Sequence, residues 1–331
     1  MAGGASHAAR RVFSSTLLEP LYGPELEAVR PLDIQTLDEV VSGYSFNLVP
    51  LRAELGASES ESGEQLADLI RTSLEPLPQD KLRLVNCGNG VEGGPHDVLR
   101  LIGEIGVDVF DSAWAQKAAD VGIALDFVFP VPPLETTEEQ ELGHNLYDTL
   151  YVKDFGTFAS SLRGHAQDSV LPICNCLACS PVIPQERVYH GIDGEAWTSP
   201  EFPFAEHSSV DTAAKSSLSS ASSRNVSPTP VYAPPFSRAY VHHLLHTHEM
   251  SAHSLLATHN ISVLDKFFEG VRSVIAASEA SPSIWDEEVQ RFERRYKRPV
   301  DLFECARAAW KEVDLARGKG RLAREKEKQK D

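Results

Sequence analysis

The sequence predicts an α/β fold made of parallel βαβ units, and three observations carry that prediction. Strand-like and helix-like runs alternate from about residue 30 to residue 131. A glycine-rich stretch, GNGVEGGP (88–95), sits between a strand and a helix, where a βα turn belongs. Hydrophobic content is 42%, ordinary for a globular chain, and no apolar run reaches the roughly 18 residues a membrane-spanning helix needs.

Taken in order, LDIQTLDEVV (32–41) reads as a helix and GYSFNLVPL (43–51) as a strand, followed by a helix at about 62–75. KLRLVNC (81–87) is the next strand. HDVLRLIGEIG (96–106) is a helix with Val98, Leu99, Ile102 and Ile105 on one face. A short strand VDVF (107–110), a helix AWAQKAADVG and the apolar run IALDFVFPV (123–131) complete the alternation. Residues 1–29 are expected to be a poorly ordered terminus. Their arginines and serines, with no acid before Glu19, loosely suit a transit peptide.

Beyond residue 131 the regularity stops. Residues 180–235 are rich in serine and proline, with seven serines from Ser216 to Ser227, and are expected to form a flexible insertion. Helical spacing resumes at Ser237 and runs to about residue 277. Ser283 is a candidate N-cap for a further helix, interrupted at Lys297–Pro299 and then resumed. The formal charge of −17 disfavours nucleic-acid binding over the whole surface. Residues 291–330 nevertheless hold 14 Lys/Arg against 7 Asp/Glu, a basic helical tail on an acidic body.

Five cysteines, three of them within CNCLACSP (174–181), do not make a disulfide framework. A C-x-C-x-x-C run can bring three thiolates onto one zinc ion and leave one tetrahedral vertex for a further ligand. Histidine is the natural donor, and His242, His243, His246, His248, His253 and His259 all follow. A mainly sulfur ligand set favours a closed structural site over a catalytic one. HEMSAH (248–253) imitates a metalloprotease helix, but its histidines are five apart and diverge by about 140°. His242 and His246 have the right spacing, with no glutamate after His242. GNGVEG, from Gly88 to Gly93, matches a dinucleotide-binding loop with Asp108 and Asp111 as ribose-binding acids, which leaves an oxidoreductase reading open.

CNCLACSP together with FSRAYVHHLLHTHEMSAHSLLATHNI (236–261) resembles the zinc subdomain of the tRNA-guanine (queuine) transglycosylase family, and GGPHDVLRLIGEIGVDVFDS (93–112) resembles a second family segment. The resemblance implies a zinc-containing TIM (β/α)₈-type barrel. One Zn²⁺ would be held by Cys174, Cys176, Cys179 and His259, the histidine of a terminal His-Asn pair. It also implies exchange of guanine for queuine at the wobble position of tRNAs with GUN anticodons. Asp111 falls at the family's nucleophile position, but the arginines that follow in catalytic members are replaced here by Lys117 and Asp120. Their paired-glycine base-binding loop is replaced by GYSFNLVPL. These departures match the family's non-catalytic accessory members, which pair with a catalytic subunit and reach tRNA through that heterodimer. A catalytic chain using Asp111 is the alternative.

The organisation this implies is a C-terminal barrel portion at 30–179 lacking the N-terminal half, the insertion at 180–235, a zinc-subdomain and last barrel helix at 236–280, and a basic helical tail at 281–331. The zinc-subdomain helix is expected to help dock the partner. The expected location is the cytoplasm, with association at the mitochondrial outer membrane left open.

Overall fold

The structure is a computed structural model describing residues 3–29, 33–56, 59–88, 93–132, 139–159, 174, 176, 178–179, 189–190, 196–197, 236–281 and 283–328. The expected insertion at 180–235 lies outside the described residues, apart from one two-stranded antiparallel pair, Tyr189–His190 with Ala196–Trp197.

Three strands, β1 (Gly43–Asn47), β2 (Leu82–Asn86) and β3 (Val109–Phe110), form a parallel sheet in the order β1-β2-β3. Gly43 lies opposite Leu82, and Leu84 opposite Val109. Parallel neighbours need crossover helices. Here they are supplied by α3 (Leu48–Leu55) with α4 (Glu59–Leu74) between β1 and β2, and by α5 (Pro95–Ile105) between β2 and β3. A further helix, α6 (Ala113–Asp120), leads from β3 into β4 (Ile123–Leu125), which pairs antiparallel with β5 (Gly143–Asn145). The C-terminal part is helical: α7 (Arg238–His246), α8 (Met250–Ser278), α9 (Ser283–Arg295) and α10 (Val300–Lys328).

Two expectations differ from the structure. GYSFNLVPL is a strand only to Asn47, whose side chain accepts from Val49 N (3.2 Å) and caps a helix. Pro50, with no N–H to give a strand ladder, costs nothing in that first turn. The helix expected at 32–41 is reduced, among the described residues, to a single 3₁₀ turn at Asp38–Val40. The N-terminal stretch contains a helix, α1 (His7–Leu17), that packs on α4, and a short helix, α2 (Pro24–Val29). Its anchor is polar: buried Arg10 reaches Ser73 Oγ at 3.1 Å and Gly4 O at 2.6 Å. Apolar periodicity carries no sign of such a contact.

The core has two parts, and α5 is divided between them. Leu101 and Ile105 pack with Tyr44, Phe46, Leu66, Ile70 and Val85 beneath the parallel sheet. Val98 and Leu99 face the larger core, where Phe127, Phe129, Phe267, Phe292 and Tyr296 meet edge-on or tilted with ring centroids 4.8–6.3 Å apart. α8 crosses the Phe129–Pro130 segment at Gly270, where a Cβ would strike the Phe129 carbonyl oxygen. This close approach brings α8 against β4 and sets the position of His259.

Candidate metal centre

Cys174, Cys176 and Cys179 come together in a tight turn closed by Cys179 N donating to Cys176 O at 3.2 Å. His259 arrives from the middle of α8 and is fully buried. Its Nδ1 lies 3.5, 3.8 and 3.3 Å from the sulfurs of Cys174, Cys176 and Cys179. All four ligand atoms lie within 4.8 Å of one another. Bonds of about 2.3 Å to sulfur and 2.0–2.1 Å to nitrogen, at tetrahedral angles, would put each S···N pair about 3.6 Å apart. The observed distances bracket that value, so the residues present fit a tetrahedral metal ion. Among the described residues this is the group of three or more His, Cys, Asp and Glu side chains so arranged.

The surroundings select the ring orientation. His259 Nε2 lies 2.9 Å from Leu125 O. A carbonyl only accepts, so Nε2 carries the proton and Nδ1 offers its lone pair to the centre. Asn260 accepts from Leu125 N at 2.9 Å and donates to Ile123 O and Ala115 O at 2.9 and 3.2 Å. One buried side chain thereby fixes α8 to β4 and α6. Phe158 closes the other side, edge-on to the imidazole at 5.3 Å.

In the metal-free chain, burial works to lower the His259 pKa. Hydrogen bonds to Cys174 and Cys176, and their charge, outweigh it and bring it up to about 9. Hydrogen bonds from Cys176 and Cys179 hold the Cys174 thiol far below its ordinary value, and Cys179 is pushed up in return. One thiolate is therefore already favoured, and a metal ion would release the remaining protons.

A polar network holds the approach to this centre. Arg238, at the start of α7, donates to Asp154 at 3.1 Å and to Phe158 O at 3.4 Å. His144 lies 2.8 Å from buried Asp126 and 2.9 Å from the Tyr151 hydroxyl. Burial works against the Asp154 carboxylate, but the Gly156 N–H and the Arg238 guanidinium hold it below the usual range. The network fixes Phe158, which in turn packs on His259. No sequence spacing announces His144, Asp126 or Leu125, because each acts through an approach of distant segments.

The other histidines stay outside the cluster. His242 Nδ1 lies on Leu146 O, His246 Nδ1 on His242 O, and His253 Nδ1 on Ala119 O. Asp111 directly follows β3, and its carboxylate accepts from Cys87 N at 2.8 Å, Gly88 N at 3.5 Å and Ala113 N at 3.0 Å. Asp108 is likewise engaged, accepting from Arg83 N at 2.8 Å. Both acids of the dinucleotide reading thus bind the backbone of β2 or of the turn after it. Residues 89–92 of its glycine loop lie outside the described residues. Gly93 N donates to Asp97 at 3.1 Å, and Asp97 is also paired with Arg52 and Arg100. Burial pushes the neighbouring Cys87 thiol up to about 12, so it is no ready nucleophile. At the position of the missing arginines, Gln116 donates to Asp120 at 3.0 Å.

A family model described as queuine tRNA-ribosyltransferase matches residues 217–297, the stretch that carries α7, α8 and His259. This chain is similar to that family. Three relatives, each named queuine tRNA-ribosyltransferase accessory subunit 2, extend the likeness. The protein of Schizosaccharomyces pombe is 23% identical over 240 residues, 72% of this chain and 38% of its own length. That of Aedes aegypti is 21% identical over 88% of this chain and 50% of its own, and that of Anopheles gambiae 26% over 80% and 44%. The chain spans half or less of the length of these curated relatives. No helix among the described residues is long and apolar enough to cross a membrane.

Proposed function

We propose that this chain is a non-catalytic accessory subunit of queuine tRNA-ribosyltransferase. It would support exchange of guanine for queuine at the wobble position of tRNA by pairing with a catalytic subunit. One observation carries the reading: the Cys174, Cys176, Cys179 and His259 set converges on one point, with His259 inside the family-model match and the whole set inside the span shared with the two longer-matching relatives of that name.

Zinc is the metal we assign to the site, because three thiolates and one imidazole in a closed tetrahedral, buried group match its structural chemistry. The ion's part would be structural, joining the Cys turn to α8. The barrel assignment belongs to this proposal as well. The parallel β1-β2-β3 sheet leaves Leu82, Leu84 and Val109 exposed on the face away from its helices, and a (β/α)₈ barrel packs such aliphatic side chains in its interior. We place the partner surface on α7 and the 3₁₀ turn Thr149–Lys153 beside it, which expose Tyr240, Leu150, Val152 and the adjoining Phe155. The assignments of the cytoplasm, of the flexible insertion and of the basic tail stand as parts of the same reading.

The test is co-purification with a catalytic subunit together with metal analysis. The wild-type chain is expected to carry one zinc and to retain the partner. Cys176→Ser is expected to lose both. A covalent adduct between guanine-containing tRNA and the isolated chain, lost in Asp111→Asn, would replace this proposal with the catalytic reading.

A further inference from the structure

His242 and His246 stand one turn apart on α7, with ring centroids 4.0 Å from each other. Each ring is oriented by a backbone carbonyl. Leu146 O lies 2.9 Å from His242 Nδ1, and His242 O lies 2.9 Å from His246 Nδ1. Because a carbonyl can only accept, both Nδ1 atoms carry the proton, and in the neutral rings both Nε2 atoms keep an open lone pair. Neither Nε2 has a polar partner among the described residues. His242 is 8% exposed, so its ring is locked in place by packing. Tyr147 lies against His246 at 5.8 Å and holds the second ring.

This is the arrangement by which proteins prepare histidine as a metal ligand: an outer carbonyl fixes the tautomer, and the opposite nitrogen points to the ion. Histidines at i and i+4 share one face of a helix and can chelate a single ion. We propose that His242 and His246 form a second metal site, separate from the Cys₃His group, which takes a borderline divalent transition ion such as Ni²⁺, Cu²⁺ or Zn²⁺, with water completing the coordination. With imidazole nitrogen as its only protein ligand, the site selects against hard ions such as Mg²⁺ and Ca²⁺, which take carboxylate and carbonyl oxygen from the protein. Burial favours the uncharged form of His242, the form that binds metal. With only two protein ligands, the site would exchange its ion readily. It would also clip the C-terminal turn of α7, so metal should raise the stability of the folded chain by mass action.

The experiment uses the full chain loaded with one equivalent of Zn²⁺ to fill the Cys₃His group, then titrated with Ni²⁺ by calorimetry. One Ni²⁺ is expected to bind without displacing zinc, with a rise in melting temperature. In His246→Gln the affinity should fall at least as far as the loss of an outer-shell partner would bring it, about 10- to 100-fold, with zinc content unchanged. His253→Gln, whose ring is also held by a carbonyl but has no partner at i±4 on its helix, should bind as wild type. Ni absorption spectroscopy of the wild-type complex provides a readout that needs no variant and should show nitrogen and oxygen neighbours with imidazole scattering. Sulfur neighbours, release of zinc, equal binding by His246→Gln, or equal weakening by His253→Gln would each overturn the proposal.

Discussion

Asn260 and His259 are adjacent in sequence, yet they act on different partners through the same strand. The histidine donates to Leu125 O, and the asparagine accepts from Leu125 N. Replacing Asn260 by alanine would leave the N–H of Leu125 and the carbonyls of Ala115 and Ile123 buried without this partner. Unsatisfied buried groups of this kind cost about 1–3 kcal/mol each. Asn260→Ala is therefore expected to destabilise the chain by about 3 kcal/mol or more, read from urea unfolding. A loss under 1 kcal/mol would mean that water replaces the side chain without penalty. The three clustered cysteines could be picked out from the sequence because thiols are chemically conspicuous at short spacing, whereas His259 was one of six downstream histidines and was singled out only by the family resemblance. Leu125 could not, since any residue offers the same carbonyl, and what matters is that β4 passes beside α8.

At the level of elements, α8 is where packing is least forgiving. Gly270 lets it lie against the Phe129–Pro130 segment, while Phe267, three residues earlier, fills the aromatic core. Gly270→Ala should push helix and segment apart and lower stability by about 1–3 kcal/mol, even though alanine is the better helix former. Thermal unfolding decides it, and a stabilised variant would show that the contact is not tight. Helices α4, α5, α6 and α8 were legible because their apolar residues recur at helical spacing. α3 was not, because Leu-Val-Pro-Leu prolongs the apolar run of β1 and only the Asn47 cap marks the change. α1 escaped notice for the opposite reason: its docking depends on a buried guanidinium, which hydrophobic pattern does not register.

Across the whole molecule, titrating groups give the fold a pH dependence of definite sign. His96 and His242 are lowered from the ordinary value of 6.5, first by burial and in part by nearby positive or partly positive groups. The folded state thus binds fewer protons there than the unfolded state, so their contribution is present above about pH 6.5 and is lost as pH falls through the folded-state values. His259 has the opposite sign in the metal-free chain. Its contribution is complete below pH 6.5 and disappears as pH rises through about 9. The metal-free chain should accordingly show a lower urea midpoint at pH 5 than near neutrality, with a second decline as pH rises from about 7 to about 9. A flat profile from pH 5 to 7 would count against the buried, neutral state of both rings. Zinc should remove the alkaline limb, because a metal-bound imidazole has no proton to lose.

The sulfurs and the imidazole that meet at the centre are 80 to 85 positions apart along the chain. An ion held by both ends would behave as a reversible staple across that length of polypeptide, restricting the unfolded chain much as a covalent cross-link does. Cutting the backbone at an engineered protease site between residues 180 and 235 should therefore give two fragments that migrate as one species. A strong chelator should then weaken that union, turning loss of a single ion into separation of the severed halves.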